Sequence, residues 1–416
     1  MQQTTIQEVR QHFEKHYPQF IEEQGNQAFA EGNTFYTFAR LADYLIDEGF
    51  KKNDEAFIHQ LMEYVAYLYE NGDDLVRNCL TVSFVEGLID KGYIRKQGAH
   101  LKKILPYLPA HILDFIRSFF ITEVLVILEI TVKVKDVFKN NAYKLKSMYE
   151  DSEIETLLSM LLTFYTKIEK KDRILNEDLE ITAIQYQQIG NAVKELLTHR
   201  PIQYILGEAD FYGYKFKVNE ATLIPRPETE ELVFEILKRN KQQTLKVLDI
   251  GTGTGCIPIT LALETRKKAQ NWEISALEIS QDALNVAKEN AQEHQVGVKW
   301  IESDILSMPT FPQKWDIIVS NPPYIPEAEK TDIAENVIGY EPHLALFVPD
   351  KKPLLFYEAI ADFAREHLSE KGQLFFEIHY LYGKEIVAML AQKGFQNIEL
   401  QKDMQGKDRI VVAKIG

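Results

Sequence analysis

A chain of 416 residues is too long for one ordinary hydrophobic core, and it predicts two or three domains. A content of 45% hydrophobic and 26% charged residues excludes a disordered or fibrous polymer. The net charge of −15 is spread along the chain: 12 Lys+Arg against 19 Asp+Glu (−7) over residues 1–130, and 35 against 43 (−8) over the rest, which argues against a broad nucleic-acid-binding face.

No run of 18 apolar residues free of charge occurs, and the most apolar stretch, Phe119–Val134, is interrupted by Glu123, Glu129 and Lys133. Met1–Arg10 lacks the basic-then-apolar order of a secretory signal. Cys79 and Cys256 stand far apart without metal-ligand spacing. These features predict a cytoplasmic protein with no disulfide framework, no metal site and no membrane partner.

Residues 1–128 read as an added helical module. Apolar positions recur at helical spacing in Phe35, Phe38, Leu41, Ala42, Leu45 and Ile46, and again from Phe57 to Tyr69. A third such series runs Leu75, Val76, Cys79, Leu80, Val82, Phe84, Val85, Leu88 and Ile89, and Asn71-Gly72-Asp73-Asp74 separates it from the second. Pro106 and Pro109 interrupt the pattern further on. No chemistry is legible here, and the role of this module is open. Residues 132–198 form a second helical segment with Val137, Leu145, Leu157, Leu158, Leu161 and Leu162 as its apolar face; Lys170-Lys171-Asp172 reads as a solvated connection.

From Pro201 onward the texture changes. Runs rich in branched residues, Lys246–Ile250, Glu273–Leu277, Trp315–Ser320 and Gln373–Ile378, alternate with helical patterns such as Ser280–Glu293 and Leu354–Leu368. Strand–helix alternation predicts a Rossmann-like, doubly wound α/β sheet with parallel strands over 199–416. Such sheets bind ligands beyond the carboxyl ends of their strands.

The first run leads into Asp249-Ile250-Gly251-Thr252-Gly253-Thr254-Gly255. Glycines at alternate positions permit a sharp turn and close approach to a ligand, and the helix that follows offers free N–H groups to a carboxylate. Asp249 is placed to meet an ammonium. A plain structural turn is the bland alternative. The second run ends at Glu278, 23 residues beyond Gly255, where an acid can accept from both ribose hydroxyls; a surface glutamate is its bland alternative. Asp304 can accept from an adenine amino group, with Ile305 against the ring. Amino-acid tail, ribose and adenine together describe S-adenosyl-L-methionine, with S-adenosyl-L-homocysteine as the product.

The fourth run leads into Asn321-Pro322-Pro323-Tyr324. Two prolines remove two N–H donors and lock the backbone. The Asn321 side-chain oxygen and the Pro322 carbonyl can accept from a planar NH2 group, and Tyr324 can lie on its flat face. An amide nitrogen is a poor nucleophile. Two acceptors orient it and raise its electron density, and their dipoles stabilise charge moving onto it in the transition state. Cys256 reads as a packing residue, and His379 receives no catalytic role.

The region from about Val132 onward resembles the PrmC/HemK family, which N5-methylates glutamine in peptide chain release factors. The blocks that carry the likeness are Arg200–Gly207, Leu223–Glu230 (Leu-Ile-Pro-Arg-Pro-Glu-Thr-Glu), Asp249–Gly255, and Asn321–Tyr324 with Glu341–Leu346. The resemblance implies a class I S-adenosylmethionine-dependent methyltransferase preceded by all-α segments. Residues 132–198 would be the substrate-docking domain and 199–416 the catalytic domain. It implies a Gly-Gly-Gln loop as substrate, held by Asn321, Pro322, Pro323 and Tyr324. Gly251, Thr252, Gly253, Thr254, Gly255, Asp249, Glu278, Asp304, Ile305 and Asn321 would line the cofactor. Ile305 stands where many relatives carry an aromatic, so apolar packing is expected there in place of ring stacking. Phe211 and the Pro225–Glu228 block would close over the methionine part and the substrate opening; Arg226 either touches substrate or only fixes its own loop.

Two other readings compete. A nucleic-acid adenine N6-methyltransferase shares the Asn-Pro-Pro-Tyr geometry but calls for a basic target-recognition region and base flipping. A non-catalytic module that keeps the fold for docking would not need intact glycine and Asn-Pro-Pro-Tyr loops.

Overall fold

The computed structural model describes residues 3–80, Ser83 and 131–415, apart from Asn26, Glu31, Asn53 and Glu177. The expected helical series beyond Leu80, Pro106, Pro109 and the apolar stretch from Phe119 to Ile130 lie outside the described residues. The chain divides into two compact units, Met1–Val193 and Lys194–Gly416.

The first unit opens with helices α1 (Ile6–His16), α2 (Pro18–Gln24), α3 (Thr34–Tyr44), α4 (Glu55–Asn71) and α5 (Asp74–Cys79). Asp54 and Asp73 cap α4 and α5, each accepting from a backbone N–H three residues on, which satisfies a donor with no partner inside its helix. Phe38, Leu41, Ala42, Leu45 and Ile46 are buried as their spacing predicts, whereas Phe35 faces outward. From residue 131 onward come β1 (Thr131–Lys133), α6 (Val134–Leu145), α7 (Asp151–Thr166), α8 (Lys170–Leu175), β2 (Glu180–Thr182) and α9 (Ala183–Leu196). Two features here differ from expectation. Lys170-Lys171-Asp172 is the first turn of α8, not a connection, because Glu169 and Asp172 form a reciprocal capping box. The segment is also not purely helical: β1 and β2 pair antiparallel over three residues each.

In the second unit a short helix α10 (Ile202–Leu206) precedes the hairpin β3 (Glu208–Phe211) and β4 (Tyr214–Lys217), then α11 (Pro227–Arg239). The main sheet follows with β5 (Lys246–Ile250), α12 (Cys256–Lys267), β6 (Glu273–Glu278), α13 (Gln281–Glu293), β7 (Lys299–Glu302) and β8 (Trp315–Ser320). A minor parallel pair, β9 (Ile325–Pro326) and β10 (Phe347–Val348), brackets the short helix α14 (Glu335–Ile338). The sheet is completed by α15 (Leu355–His367), β11 (Leu368–Glu377), α16 (Gly383–Gln392), β12 (Phe395–Lys402) and β13 (Asp408–Ile415). Seven strands run in the order β12-β13-β11-β8-β5-β6-β7, all parallel except β13, which is antiparallel to both neighbours.

Successive side chains of a strand point to opposite faces, so a sheet covered on both sides reads as a continuous apolar run. Leu248, Ile318, Leu374, Phe376 and Val411 pack on one face with Tyr357, Ile360 and Phe363 of α15 and Ile386 and Leu390 of α16. Val247, Ile317, Val319, Phe375 and Val412 pack on the other with Leu232, Val233 and Ile236 of α11 and Ile257, Ile259 and Leu261 of α12. Strand order reverses at β5: its continuation β6 lies on one side and β8 on the other. The crevice outside the carboxyl ends of β5 and β8 is therefore where a ligand is accommodated. Among the described residues no helix is long and apolar enough to cross a membrane.

Gly255 shows how tightly the turn after β5 is specified. Its φ is +77°, and an added Cβ would lie 2.9 Å from Ile259 Cδ1 and 3.2 Å from Ala287 Cβ. Left-handed backbone costs a side-chain-bearing residue about 1–2 kcal/mol, and overpacking about 1–3 more. Gly255→Ala is expected to lower the unfolding free energy by about 2–5 kcal/mol, read from the midpoint of urea denaturation at an unchanged slope.

Candidate active site

At the carboxyl ends of β5, β6, β7 and β8 the structure forms one cavity, whose lining includes Gly251, Gly253, Glu278, Asp304, Ile305, Ser320, Asn321, Pro322 and Pro323. Its roof comes from two segments that are not part of the main sheet: Ala221-Thr222-Leu223 before α11, and Pro342, Leu344 and Ala345 before β10. Four motifs widely spaced in the sequence thus meet at one opening.

The glycine turn is held from beneath. Gly251 and Gly253 take φ of +75° and +53°, and the Gly251 N–H donates to the Leu277 carbonyl at 2.8 Å. Glu278 anchors the turn from the neighbouring strand: its Oε2 accepts from Gly253 N at 3.0 Å, and its Oε1 from Ile279 N and Ser280 N at 2.9 and 3.1 Å. Asp304 Oδ1 accepts from Leu306 N at 2.8 Å, and Ile305 is 6% exposed. Thr252 and Thr254 are buried beneath the turn rather than on the cavity wall. Asn290 of α13 is a residue that sequence reasoning missed: it donates to the carbonyls of Lys217 and Thr254 and accepts from Lys217 N, joining β4 to the glycine turn. Nothing distinguishes such an asparagine in a polar helical sequence.

Asp249 is fully buried just under this turn, and neither carboxylate oxygen has a hydrogen-bond partner among the described residues. Burial pushes its carboxyl up to about 7; the nearby Thr252 hydroxyl offsets part of that rise, and the charge of Glu278 adds to it. A buried anion left without a donor is costly, and a cationic ligand group removes the cost. The donor set therefore fits a small molecule that brings an ammonium to the glycine turn and hydroxyls to Glu278.

The Asn-Pro-Pro-Tyr loop is held by a chain of two hydrogen bonds. Asn321 Nδ2 donates to Thr229 Oγ1 at 3.2 Å, and Thr229 Oγ1 donates to Glu377 Oε2 at 2.6 Å. Thr229 lies in the first turn of α11, and Glu377 is the last residue of β11. Neither was identified from sequence as a site residue. The available signal was Glu377 at the carboxyl end of a strand, the position that singles out Glu278. Tyr324 is not on the cavity wall; its ring packs edge-on to His379 at 5.7 Å between centroids. The Cys256 thiol is pushed up to about 12 by burial, so it stays protonated and unreactive.

Two further expected residues stand away from the cavity. Phe211 is fully buried in the core with Phe216, Leu232 and Val233, because a two-residue turn at Tyr212-Gly213, with φ of +53° and +79°, sets the hairpin register and turns Phe211 to the same covered face as Ala209. Arg226 pairs with the buried Glu341 at 2.5 Å, while Ile224 N donates to the other oxygen of that carboxylate at 3.2 Å. Of its two open readings, the structure favours fixing the loop: this pair ties the Leu223–Glu230 block to the Glu341–Leu346 block. Among the described residues no cluster of His, Cys, Asp or Glu could hold a metal ion.

The release factor glutamine methyltransferase of Flavobacterium psychrophilum is 45% identical over 271 residues, covering 94% of that protein and 64% of this chain. The chain belongs to the release factor glutamine methyltransferase family. Its namesakes in Bacteroides thetaiotaomicron and Streptococcus pneumoniae are 39% and 38% identical, covering 95% and 99% of their lengths and 65% and 68% of this chain. Family models match in three places: the PrmC N-terminal domain at residues 141–207, the methyltransferase small domain at 228–343, and a domain of unknown function, DUF7674, at 8–122. Membership places the chain among the S-adenosylmethionine-dependent methyltransferases, in agreement with the sheet order and with the fold expected from sequence.

The raised carboxyl of Asp249 has a definite consequence for stability. A carboxyl whose folded value lies above its unfolded value stabilises the fold when protonated, and that contribution is lost as pH rises through about 7. At pH 8 the penalty is on the order of 4 kcal/mol. Asp249→Asn is therefore expected to raise the melting temperature of the ligand-free protein at pH 8, by a margin that shrinks as the pH is lowered towards 5. The same substitution should abolish the rise in melting temperature produced by S-adenosyl-L-methionine. Scanning fluorimetry across that pH range checks both.

Proposed function

We propose that this protein transfers the methyl group of S-adenosyl-L-methionine to the side-chain amide nitrogen (N5) of the glutamine in the Gly-Gly-Gln loop of peptide chain release factors. One observation carries this reading: Asn321 and Pro322 line the same cavity as Gly251, Gly253 and Glu278. An amide-gripping loop and a nucleotide-type turn thus share one opening.

In this reading Asp249 meets the ammonium of the cofactor, Glu278 its ribose hydroxyls, and Asp304 with Ile305 its adenine. When bound, the cofactor supplies an electrophilic methyl on a sulfonium, released as a thioether once the methyl leaves. The protein's own residues prepare the nucleophile. The Asn321 side-chain oxygen and the Pro322 carbonyl accept from the two N–H bonds of the glutamine amide, and Tyr324 backs the loop that presents them. As the nitrogen gains the methyl and positive charge, these two dipoles stabilise it, and its extra proton, now acidic, passes to water. Apolar lining from Leu223, Leu344 and Pro323 excludes competing hydroxyls. The relatives that share this architecture are named for glutamine methylation of release factors.

Incubation of the purified protein with methyl-labelled cofactor and a release factor should label the factor, and should leave its Gly-Gly-Gln→Gly-Gly-Ala variant unlabelled. Equal labelling of the two would overturn the assigned target, and labelling of DNA in their place would establish adenine N6 methylation. Asn321→Ala is expected to lower kcat by at least about 10²-fold. Its dissociation constant for the cofactor, measured by calorimetry, should stay within about threefold of the parent.

A further inference from the structure

We propose that Thr229 and Glu377 act as positioning residues that hold the Asn321 amide in one orientation, with its oxygen presented to the cavity. The inference rests, for its kinetic arm, on the methyl-transfer reading of this site, and it concerns which end of an asparagine faces the substrate.

An asparagine amide is nearly symmetric in shape but not in function: turned over, it offers two donors where the reaction needs an acceptor. Thr229 Oγ1 has one proton. It lies 2.6 Å from Glu377 Oε2, and an ionised carboxylate can only accept, so the proton of Thr229 points to Glu377. The hydroxyl then has only lone pairs left for Asn321, so the atom 3.2 Å away on the Asn321 side must be the NH2 group. Asn321 Oδ1 is turned the other way, and among the described residues it accepts no hydrogen bond. Thr229 and Glu377 are 3% and 1% exposed, so water does not scramble this order. Elements far apart in sequence are used to build it: α11 brings Thr229 and β11 brings Glu377, each beside the end of β8.

Glu377 also makes the device sensitive to protonation. Burial pushes its carboxyl up to about 7, while Thr229, Arg409 and Arg226 oppose that rise and Glu228 adds to it. The other ionisable groups facing it are Tyr324, Tyr357 of α15 and Cys256 of α12. Once protonated, Glu377 can donate to Thr229 Oγ1, whose own proton is then free to reach Asn321 Oδ1. Protonation thus lifts the constraint, and both amide orientations become available.

Two measurements test this. At saturating cofactor and release factor, Thr229→Val should lower kcat about 10- to 100-fold, with the cofactor dissociation constant unchanged. Thr229→Ser, which restores the hydroxyl, should recover kcat to within about threefold. The parent should lose kcat below about pH 7, and that acid limb should be absent from Glu377→Gln and Thr229→Val. The second measurement uses no substrate. In ¹⁵N-asparagine-labelled protein, the side-chain NH2 signals of Asn321, assigned by their loss in Asn321→Ser, should exchange at least tenfold faster in Thr229→Val at one fixed pH, and a change in their chemical shifts centred near pH 7 should be seen only while Thr229 and Glu377 are both present. An unchanged kcat in Thr229→Val, a persistent acid limb in both variants, or equal amide exchange in parent and Thr229→Val would overturn the proposal. If the parent fails to methylate release factors, the functional reading falls, and the exchange measurement alone decides the positioning role.

Discussion

Ser320 ends β8, Ile250 ends β5, and the two are register partners; the Ser320 hydroxyl donates to the Ile250 carbonyl at 2.6 Å. This bond between residues seventy apart sits where the sheet changes its winding direction, and the functional reading depends on it. On one side the chain turns into the glycine loop, on the other into the Asn-Pro-Pro-Tyr loop. Parallel pairing puts both loops at the same edge of the sheet. A slip of one residue would turn Leu248 and Ile318 out of the face they share.

Two buried carboxylates, Asp249 and Glu377, stand near the ends of β5 and β11, and burial raises both to about 7. They are handled differently. Asp249 is left without a partner, a cost that a cationic ligand offsets, whereas Glu377 is engaged within the protein by Thr229. Strain of this kind at a site is tolerated because the rest of the sheet is covered on both faces by apolar side chains. The Arg226–Glu341 pair adds a third element by joining the two segments that roof the cavity. A guanidinium bound to a buried carboxylate fixes a loop in one geometry, a separate matter from how much the pair adds to stability.

The relatives are covered over 94–99% of their own lengths by about two thirds of this chain. The match to DUF7674 at residues 8–122 is separate from both methyltransferase family models. Within that module the described helices bury an aromatic cluster that includes Phe13, Phe20, Phe29 and Phe38. Of these, Phe38 belongs to a helical series legible in the sequence, whereas Phe29 sits in a turn with φ of 57°.

Local pattern alone determined most of the catalytic unit. β5 and β8 occupy the predicted residues, since a strand covered on both faces must be apolar throughout. The glycine turn was equally legible, because positive φ at Gly251, Gly253 and Gly255 demands a residue without Cβ. Contacts between distant segments were not. Phe211 looked available to a ligand until the hairpin register turned it into the core, and Lys170–Asp172 looked like a linker until its capping box closed. Thr229, Glu377 and Asn290 carry no motif of their own. A side chain's hydrogen-bond partner is set by which strand ends and helix starts the fold brings within reach, and only the tertiary structure decides that.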